Sequence, residues 1–505
     1  MRQLLPSAFS HSQSGEKMAH SATLPHGPNR SYYHLNQVPL TGHACQGLAC
    51  FAARKEDSQR WAQAHARMPA IYCLGRCYQA PAAFGDNARP HVEALARETV
   101  LLGNLRNGGV HSLASYLANG GGAALRQALD MPPAALIASI AESGLRGRGG
   151  AGFPTGRKWA AVAAASGPRK YVVANADEGD PGTFSDRMLM EDDPFLLIEA
   201  MLIAALAVGA EHGYIYLRKE YPGAQASLAS ALQQAHEAGW LGPQVLDSPH
   251  RFEIEMIIGQ GSYVCGEETA MLNAIEGKRP EVRLRPPQIA EYGLFNLPTL
   301  VNNVETLCAV PWIVTHGAQA YARLGTLASR GTKLVSLNSL FRRPGLVEVE
   351  FGMPLRHIVD EAGGGLKRGR LLGLMVGGPL AGLVPPALLD TPFCHEELQR
   401  IGCAVGHGGM IAFADDTTIP EIMAEVFRFG ALESCGKCTP CHLGSPELAR
   451  MWQAAVAGER ISRPRWDALI DALLATSLCG HGRGLAEFAR AIERHYPLEL
   501  EKCFA

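Results

Sequence analysis

Charge imbalance is the first thing this sequence lacks. Its 505 residues carry 46 Lys and Arg against 48 Asp and Glu, a formal net charge of −2. Nothing in that balance calls for a nucleic acid or a membrane surface as partner. A long apolar run is missing as well. The most apolar stretch, 195–210 (FLLIEAMLIAALAVGA), contains Glu199 and falls short of the ~20 residues a membrane span requires, so it reads as a buried helix. The first twenty residues are polar and lack the apolar core of a secretory leader, so the expectation is a cytoplasmic location rather than export. In a large, unsecreted chain of this kind, thirteen cysteines argue for metal clusters or catalysis rather than structural disulfides. At ~150 residues per domain the length predicts three or four domains.

What is abundant is glycine, and it is concentrated. Residues 144–159 read GLRGRGGAGFPTGRKW, with an Ala-rich helical run following from Trp159. Glycine lets the backbone approach a ligand closely, and a helix start offers free N–H groups to an anion. The spacing Gly147-x-Gly149-x-x-Gly152 fits a dinucleotide fingerprint, but the preceding residues 137–143 (IASIAES) read as helix rather than strand. The stretch therefore predicts a phosphate-cradling loop of another kind, with a plain tight turn as the alternative.

Two further polar loops follow apolar strands. Residues 170–174 (KYVVA) read as a buried strand that ends in Asn175-Ala-Asp-Glu-Gly-Asp-Pro-Gly-Thr183. Turn chemistry accounts for Asn175, Gly179, Pro181 and Gly182, but not for Asp177, Glu178 and Asp180 together. Carboxylates there suit ribose hydroxyls or a flavin ring N–H. Residues 251–258 (RFEIEMII) alternate as a strand and run into GQGSYVCGEETAML, a second glycine loop with paired glutamates. The segment 301–306 (VNNVET) adds two adjacent asparagines able to hydrogen-bond a heterocycle. Three such loops in one α/β domain predict a large nucleotide or flavin site.

The cysteines fall in two groups. Cys435-x2-Cys438-x2-Cys441 with the remote Cys479 is the spacing of a four-iron, four-sulfide cubane, with zinc as the alternative. Near the N-terminus stand Cys45-x4-Cys50 and Cys73-x3-Cys77, in a strand–loop–helix–strand–loop pattern that brings both pairs to one end of a small α/β unit. Four thiolates converging there suit a two-iron, two-sulfide cluster, with idle or zinc-bound thiols as the alternative. Residues 1–40 read as a mostly disordered or extended tail without periodicity, and 331–412 as a β-rich module of short strands and glycine turns. That module carries no catalytic residue pattern and is expected to be a spacer that docks other subunits.

Taken together, GLRGRGGAGFPTGRKW, NADEGDPGTFSDR, GSYVCGEETAMLNAIEG, LPTLVNNVET and ESCGKCTPC resemble the flavin-bearing NADH-oxidising subunit of respiratory complex I and its relatives in soluble NAD-linked formate dehydrogenases and hydrogenases. They run in order over about residues 140–505. The N-terminal cysteine pairs resemble an abbreviated thioredoxin-like two-iron protein, here fused to the flavin-bearing one. That fusion, with VSLNSLFRRPGLVEVEFG and DTPF, looks most like the β (diaphorase) subunit of a formate dehydrogenase.

The resemblance implies an α/β multidomain fold: a tail (1–40), a thioredoxin-like segment (41–110), an FMN- and NAD(H)-binding domain (111–330), a β-grasp-like, ubiquitin-like domain (331–412) and a helical [4Fe-4S] domain (413–505). It implies FMN, NAD and a [4Fe-4S] cluster, with a [2Fe-2S] cluster on Cys45, Cys50, Cys73 and Cys77. Gly147, Arg148, Gly149, Gly150, Ala151, Gly152 and Phe153, with Lys158, would hold FMN phosphate and ribityl. Asn175, Asp177 and Glu178, beside Gly179, would contact the flavin, and Asp180 the NAD(H) side. Tyr263, Gly266, Glu267 and Glu268 would line the nucleotide cleft, and Asn302, Asn303 and Thr306 would close over the FMN. Cys435, Cys438, Cys441 and Cys479 would ligate the cubane. No protein side chain need act as acid or base, since hydride passes between nicotinamide and flavin. The implied partners are a molybdenum or tungsten formate dehydrogenase α subunit with iron–sulfur clusters and a small [2Fe-2S] γ subunit; the alternative is service to a hydrogenase or complex I. Two aromatic positions of the family are replaced here by Ala161 and Gln288.

Overall fold

A computed structural model describes residues 43–67 and 70–505; the tail expected at 1–40 lies outside the described residues. The chain opens with a two-stranded parallel pair, β1 (Ala44–Cys45) and β2 (Ala70–Ile71), joined through helices Leu48–Ala52 and Ser58–Arg67. The next strand, β3 (His91–Ala94), leaves this unit. It pairs in parallel with β9 (Gly345–Glu350), so the segment expected as one unit over 41–110 gives its last strand to the module expected at 331–412. The pairing is carried by backbone hydrogen bonds between residues far apart in sequence, which no local pattern can announce.

The central domain is built on four parallel strands: β4 (Tyr171–Ala176), β5 (His212–Leu217), β6 (Glu253–Ile258) and β7 (Thr299–Asn303), in the order β6-β5-β4-β7. The chain steps outward from β4 to β6 and then returns to the other side of β4. The reversal lies between β4 and β7, and open parallel sheets bind ligands beyond the strand C-termini at such a reversal. Asn175 and Asn303 are register partners at that end.

The long apolar helix Pro194–Val208 packs beneath this sheet with almost every residue buried. Its one carboxylate is fully used. Glu199 accepts from the Tyr116 hydroxyl (2.6 Å) and from the N–H groups of Gly122 (2.9 Å) and Leu125 (2.8 Å), so the charge caps a neighbouring helix instead of meeting solvent. No helix among the described residues is long and apolar enough to cross a membrane.

The second sheet is mixed and six-stranded, in the order β11-β10-β12-β8-β9-β3, with β8 (Thr332–Leu337), β10 (Leu371–Val376), β11 (Leu383–Val384) and β12 (Gly409–Ala414). It is joined to the central domain through buried charge. Lys333 on β8 is fully buried and pairs with Glu305, also fully buried, while its ammonium reaches the carbonyls of Leu334 (3.1 Å) and His407 (3.1 Å). Glu305 in turn accepts from Leu334 N–H (2.9 Å). The chain ends in a helical domain whose longest members are Ile419–Leu432, Thr439–Val456, Arg463–Thr476 and Gly480–His495.

Breaking a buried ion pair leaves one uncompensated charge, which costs about 3–5 kcal/mol. Lys333→Met is therefore expected to lower the chemical-denaturation midpoint sharply, whereas the double change Lys333→Met with Glu305→Leu recovers most of the loss. A midpoint unchanged in the single variant would show that the pair does not hold the seam.

Candidate functional site

The C-terminal ends of β4 and β7, the glycine loop and the start of helix Thr155–Ala164 surround a cleft of about 630 Å³. Of the residues singled out in the sequence, Gly147, Gly149, Ala151, Gly152, Phe153, Lys158, Asn175, Gly266, Glu267, Glu268, Asn302, Asn303 and Thr306 line it. Phe153 is 51 % exposed at its rim. Ala161 and Gln288 also face the cleft.

The loop is shaped from both sides. Gly152 has φ +61°, and a Cβ there would lie 2.7 Å from the His395 ring, so only glycine fits. Beyond it the helix begins with Thr155, whose buried hydroxyl faces the cleft without any hydrogen-bond partner. A buried polar atom left unpaired costs roughly 1–3 kcal/mol unless a ligand satisfies it. One turn on, the Lys158 ammonium meets Glu268 (3.0 Å) and the carbonyl of Val301 (3.1 Å). Burial would raise the Glu268 carboxyl, but Lys158 and Arg285 hold it below its ordinary range. Arg285 also pairs with Glu267, whose other oxygen caps the helix Glu268–Ile275. Asn302 Oδ1 accepts from the Trp159 indole (3.0 Å), which leaves its amide nitrogen to the cleft.

Several expected residues sit elsewhere. The Arg148 side chain turns away from the cleft into the core, where it donates to the Tyr321 hydroxyl (2.7 Å) and the Arg330 carbonyl (2.8 Å) and lies over the Phe351 ring. Glu178 is fully buried and caps helix Ser185–Asp192 by accepting from the N–H groups of Asp186 (3.1 Å) and Arg187 (3.0 Å). Asp177, Gly179 and Tyr263 wall a separate small cavity with Arg218 and Ser262. Burial there pushes the Asp177 carboxyl up to about 8. The Tyr263 hydroxyl donates to Asp180. Gly150 faces the second sheet and forms a bridge with Gly406.

Thr155, Arg157, Arg285 and Val301 line the cleft without having been singled out from sequence. Thr155 was legible, as a hydroxyl at a helix start after a glycine loop. Arg285 lay in a Pro-rich connection that offers no periodic signal.

A second cavity holds all four cysteines of the C-terminal set, Cys435, Cys438, Cys441 and Cys479, with Val264, Val282 and His481. Cys438 and Cys479 are the N-caps of helices Thr439–Val456 and Gly480–His495. Two helix starts thus point at the site, and positive dipole ends favour thiolate over thiol, against burial that pushes the Cys479 thiol up to about 11. The hydrogen bond from Cys441, aided by backbone N–H groups, brings Cys438 down to about 5. Val264 lines this cavity and Gly266 the cleft, so the two sites are two residues apart along the chain and within ~7 Å at that point.

The N-terminal thiols also converge. Cys73 and Cys77 sulfurs lie 3.6 Å apart, and the Cys45 thiol meets those of Cys50 and Cys73. All four are buried, and backbone N–H groups of Gly47 (3.4 Å), Gly75 (3.3 Å) and Ala82 (3.4 Å) point at three of the sulfurs. Arg187 and Arg218 fasten this unit to the central domain through the carbonyls of Gly75 (3.1 Å) and Tyr72 (3.2 Å).

The Nuo51 FMN-binding domain family matches residues 140–312, and the NADH-ubiquinone oxidoreductase-F iron-sulfur binding region matches residues 421–503. Over 407 residues the chain is 41% identical to the second F-type component of the NADH-quinone oxidoreductase of Rhizobium meliloti (strain 1021), covering 80% of this chain and 97% of that protein. It is 38% identical over 403 residues to the HndC component of the NADP-reducing hydrogenase of Solidesulfovibrio fructosivorans, 78% of this chain and 82% of that one. Among solved structures, an NAD+-reducing [NiFe]-hydrogenase in the H2-reduced state contains a chain that superposes with a TM-score of 0.79 at 29% identity, covering 94% of this chain and 87% of that chain. With an FMN-binding domain, an NADH-linked relative and a [4Fe-4S] region in one polypeptide, the chain belongs to the F-type family of NADH-quinone oxidoreductase components, the flavin iron–sulfur oxidoreductases acting on NAD(H).

Proposed function

We propose that this chain is the diaphorase subunit of an NAD-dependent formate dehydrogenase, moving electrons between iron–sulfur clusters and NAD through FMN. The observation that carries the diaphorase reading is the adjacency of the two sites. The flavin-sized cleft ends at Gly266, and the four-cysteine cavity begins at Val264. When bound, FMN supplies two-electron hydride exchange with NAD(H), and the clusters supply one-electron transfer.

The residues present fit these groups. The unpartnered Thr155 hydroxyl, the free N–H groups of its helix and Lys158 would take the phosphate–ribityl arm of FMN. The Asn302 amide and Asn175 would orient the ring system at the sheet edge. Phe153 and the open space beside Ala161 and Gln288 would receive the dinucleotide. Cys435, Cys438, Cys441 and Cys479 would hold the cubane, and Cys45, Cys50, Cys73 and Cys77 a [2Fe-2S] cluster, whose sulfurs are commonly tuned by N–H donors of the kind seen here. No side chain in the cleft is required to move a proton at the hydride step; the chain's work is to bind, orient and exclude water.

The proposed partners are a molybdenum or tungsten formate dehydrogenase α subunit and a small [2Fe-2S] γ subunit, in the cytoplasm. What supports formate over other donors is the sequence likeness of 335–352 (VSLNSLFRRPGLVEVEFG) and of the DTPF segment. A second reading, the diaphorase of an NAD-reducing hydrogenase, is favoured by one observation: the hydrogenase likeness extends over 94% of this chain. The two relatives described above belong to a quinone oxidoreductase and an NADP-reducing hydrogenase, so the donor must be tested directly.

The natively purified anaerobic complex is expected to reduce NAD+ with formate as sole donor and not with hydrogen. Hydrogen-driven reduction alone would overturn the formate assignment in favour of the second reading. Within the chain, Thr155→Val is expected to weaken FMN about tenfold or more, the worth of a hydrogen bond to a charged group. Flavin fluorescence on dilution reads this; unchanged retention would remove Thr155 from the cofactor arm.

A further inference from the structure

The β-rich module, expected to be a spacer, touches the glycine loop at several points: His395 lies against Gly152, Glu396 pairs with Arg146 (2.6 Å), and Gly406 meets Gly150. Gly406, at φ +52°, bridges to Gly150, and a Cβ at Gly406 would lie 1.9 Å from the Gly377 carbonyl oxygen, so this approach tolerates no side chain. The next residue, His407, is buried and its Nε2 lies 2.9 Å from Asp186 Oδ2 and 3.3 Å from the Asn303 amide nitrogen. The same amide nitrogen donates to Asp186 (2.7 Å), and Asn303 Oδ1 accepts from Thr306 N–H (3.1 Å). The Thr306 hydroxyl accepts from the N–H of Arg148 (2.8 Å), which returns to the glycine loop two residues before Gly150. The contacts close a ring: Gly150, Gly406, His407, Asp186, Asn303, Thr306, Arg148.

We propose that His407 is a positioning residue for the FMN cleft, its ring clamping Asp186, to which the Asn303 amide also donates, so that the glycine loop is held open at the width the cofactor needs. This rests on the reading above, in which that loop cradles FMN. Because the Asn303 amide is spent on capping and on Asp186, the residue shapes the cleft wall rather than gripping a ligand. The β-rich module thereby completes the site.

The charges facing His407 make the clamp sensitive to pH. Asp186, on helix Ser185–Asp192, pairs with it directly. Glu178, from the loop after β4, lies in the same buried cluster: one carboxylate oxygen each from Glu178 and Asp186 and a ring nitrogen of His407 all fall within 4.8 Å of one another. Asp180 feels the imidazolium from the same loop. Lys333 on β8, paired with Glu305, binds the His407 carbonyl and opposes the positive ring. Burial would lower His407, but Asp186 and then Glu178 outweigh it and bring it up to about 9. Its value in the unfolded chain is about 6.5. A raised pKa means the clamp's contribution is fully present below about 6.5 and is lost as pH rises through about 9. Above that, two buried carboxylates face each other without their cation.

The test measures FMN dissociation on dilution of the full-length holoprotein from pH 6 to 10, by recovery of free-flavin fluorescence. The wild-type chain is expected to hold FMN at least tenfold less tightly at pH 10 than at pH 7, with a midpoint near 9. His407→Leu should show the weak binding at every pH. His407→Gln, which can still donate to Asp186 but carries no charge, should bind between the two with no inflection near 9. A wild-type profile without that inflection, or a His407→Leu chain that binds as wild type, would overturn the proposal. If His407→Leu does not fold, the profiles of wild type and His407→Gln decide alone, an inflection shared by both counting against it. A wild-type chain that holds no FMN at any pH would instead overturn the flavin reading on which the clamp rests.

Discussion

A buried charge is tolerated only when its partners are complete, and the seam between the two sheets is built from such charges. Lys333 and Glu305 are both fully buried, each satisfied by the other and by backbone groups. Asp186, His407 and Glu178 form a second cluster close by, and Glu305 N–H donates to Asp186 (3.2 Å), tying the two together. Hydrophobic contact alone permits sliding; a desolvated ion pair has one geometry worth its cost. The ion pair sets how the second sheet sits on the central domain, and the glycine loop that walls the cleft rests against that sheet's module at Gly406.

From this frame the rest follows in sequence. The strand order β6-β5-β4-β7 puts its reversal between β4 and β7, where Asn175, Asn302 and the glycine loop meet. The loop after β6 touches both sites, lining the cysteine cavity at Val264 and the cleft at Gly266 before helix Glu268–Ile275 begins. A short path between a cleft and a cluster cavity is what single-electron transfer requires of a protein. The structure meets that requirement with a turn of backbone rather than with a special side chain.

Much of the architecture was legible in the sequence because it is local. The helix through 195–210, the strands at 171 and 253, and the C-x2-C-x2-C spacing all declare themselves within a short window. The glycine loop and the 301–306 asparagines announced the cleft in the same way. What was illegible depends on distant partners. Arg148 reads as an anion ligand inside a glycine loop, yet its guanidinium is consumed by Tyr321 and Arg330, far along the chain. Glu178 reads as one of three ligand carboxylates, yet it is a helix cap. Residues 331–412 carry no catalytic residue pattern, so nothing in them singles out His407. Strand β3 joins the second sheet through backbone pairing that leaves no trace in side-chain pattern.

If the cleft holds FMN and the four-cysteine cavity a cubane, electrons should pass from NADH through the flavin to the cluster within this one polypeptide. The most direct test is an anaerobic NADH titration of the purified chain, followed by visible absorbance and by electron paramagnetic resonance, in wild type and Cys438→Ser. Flavin bleaching together with a reduced four-iron signal is predicted in the wild type, and flavin bleaching without that signal in the variant. A normal reduced-cluster spectrum in Cys438→Ser, or a wild-type chain whose flavin NADH does not bleach, would contradict it.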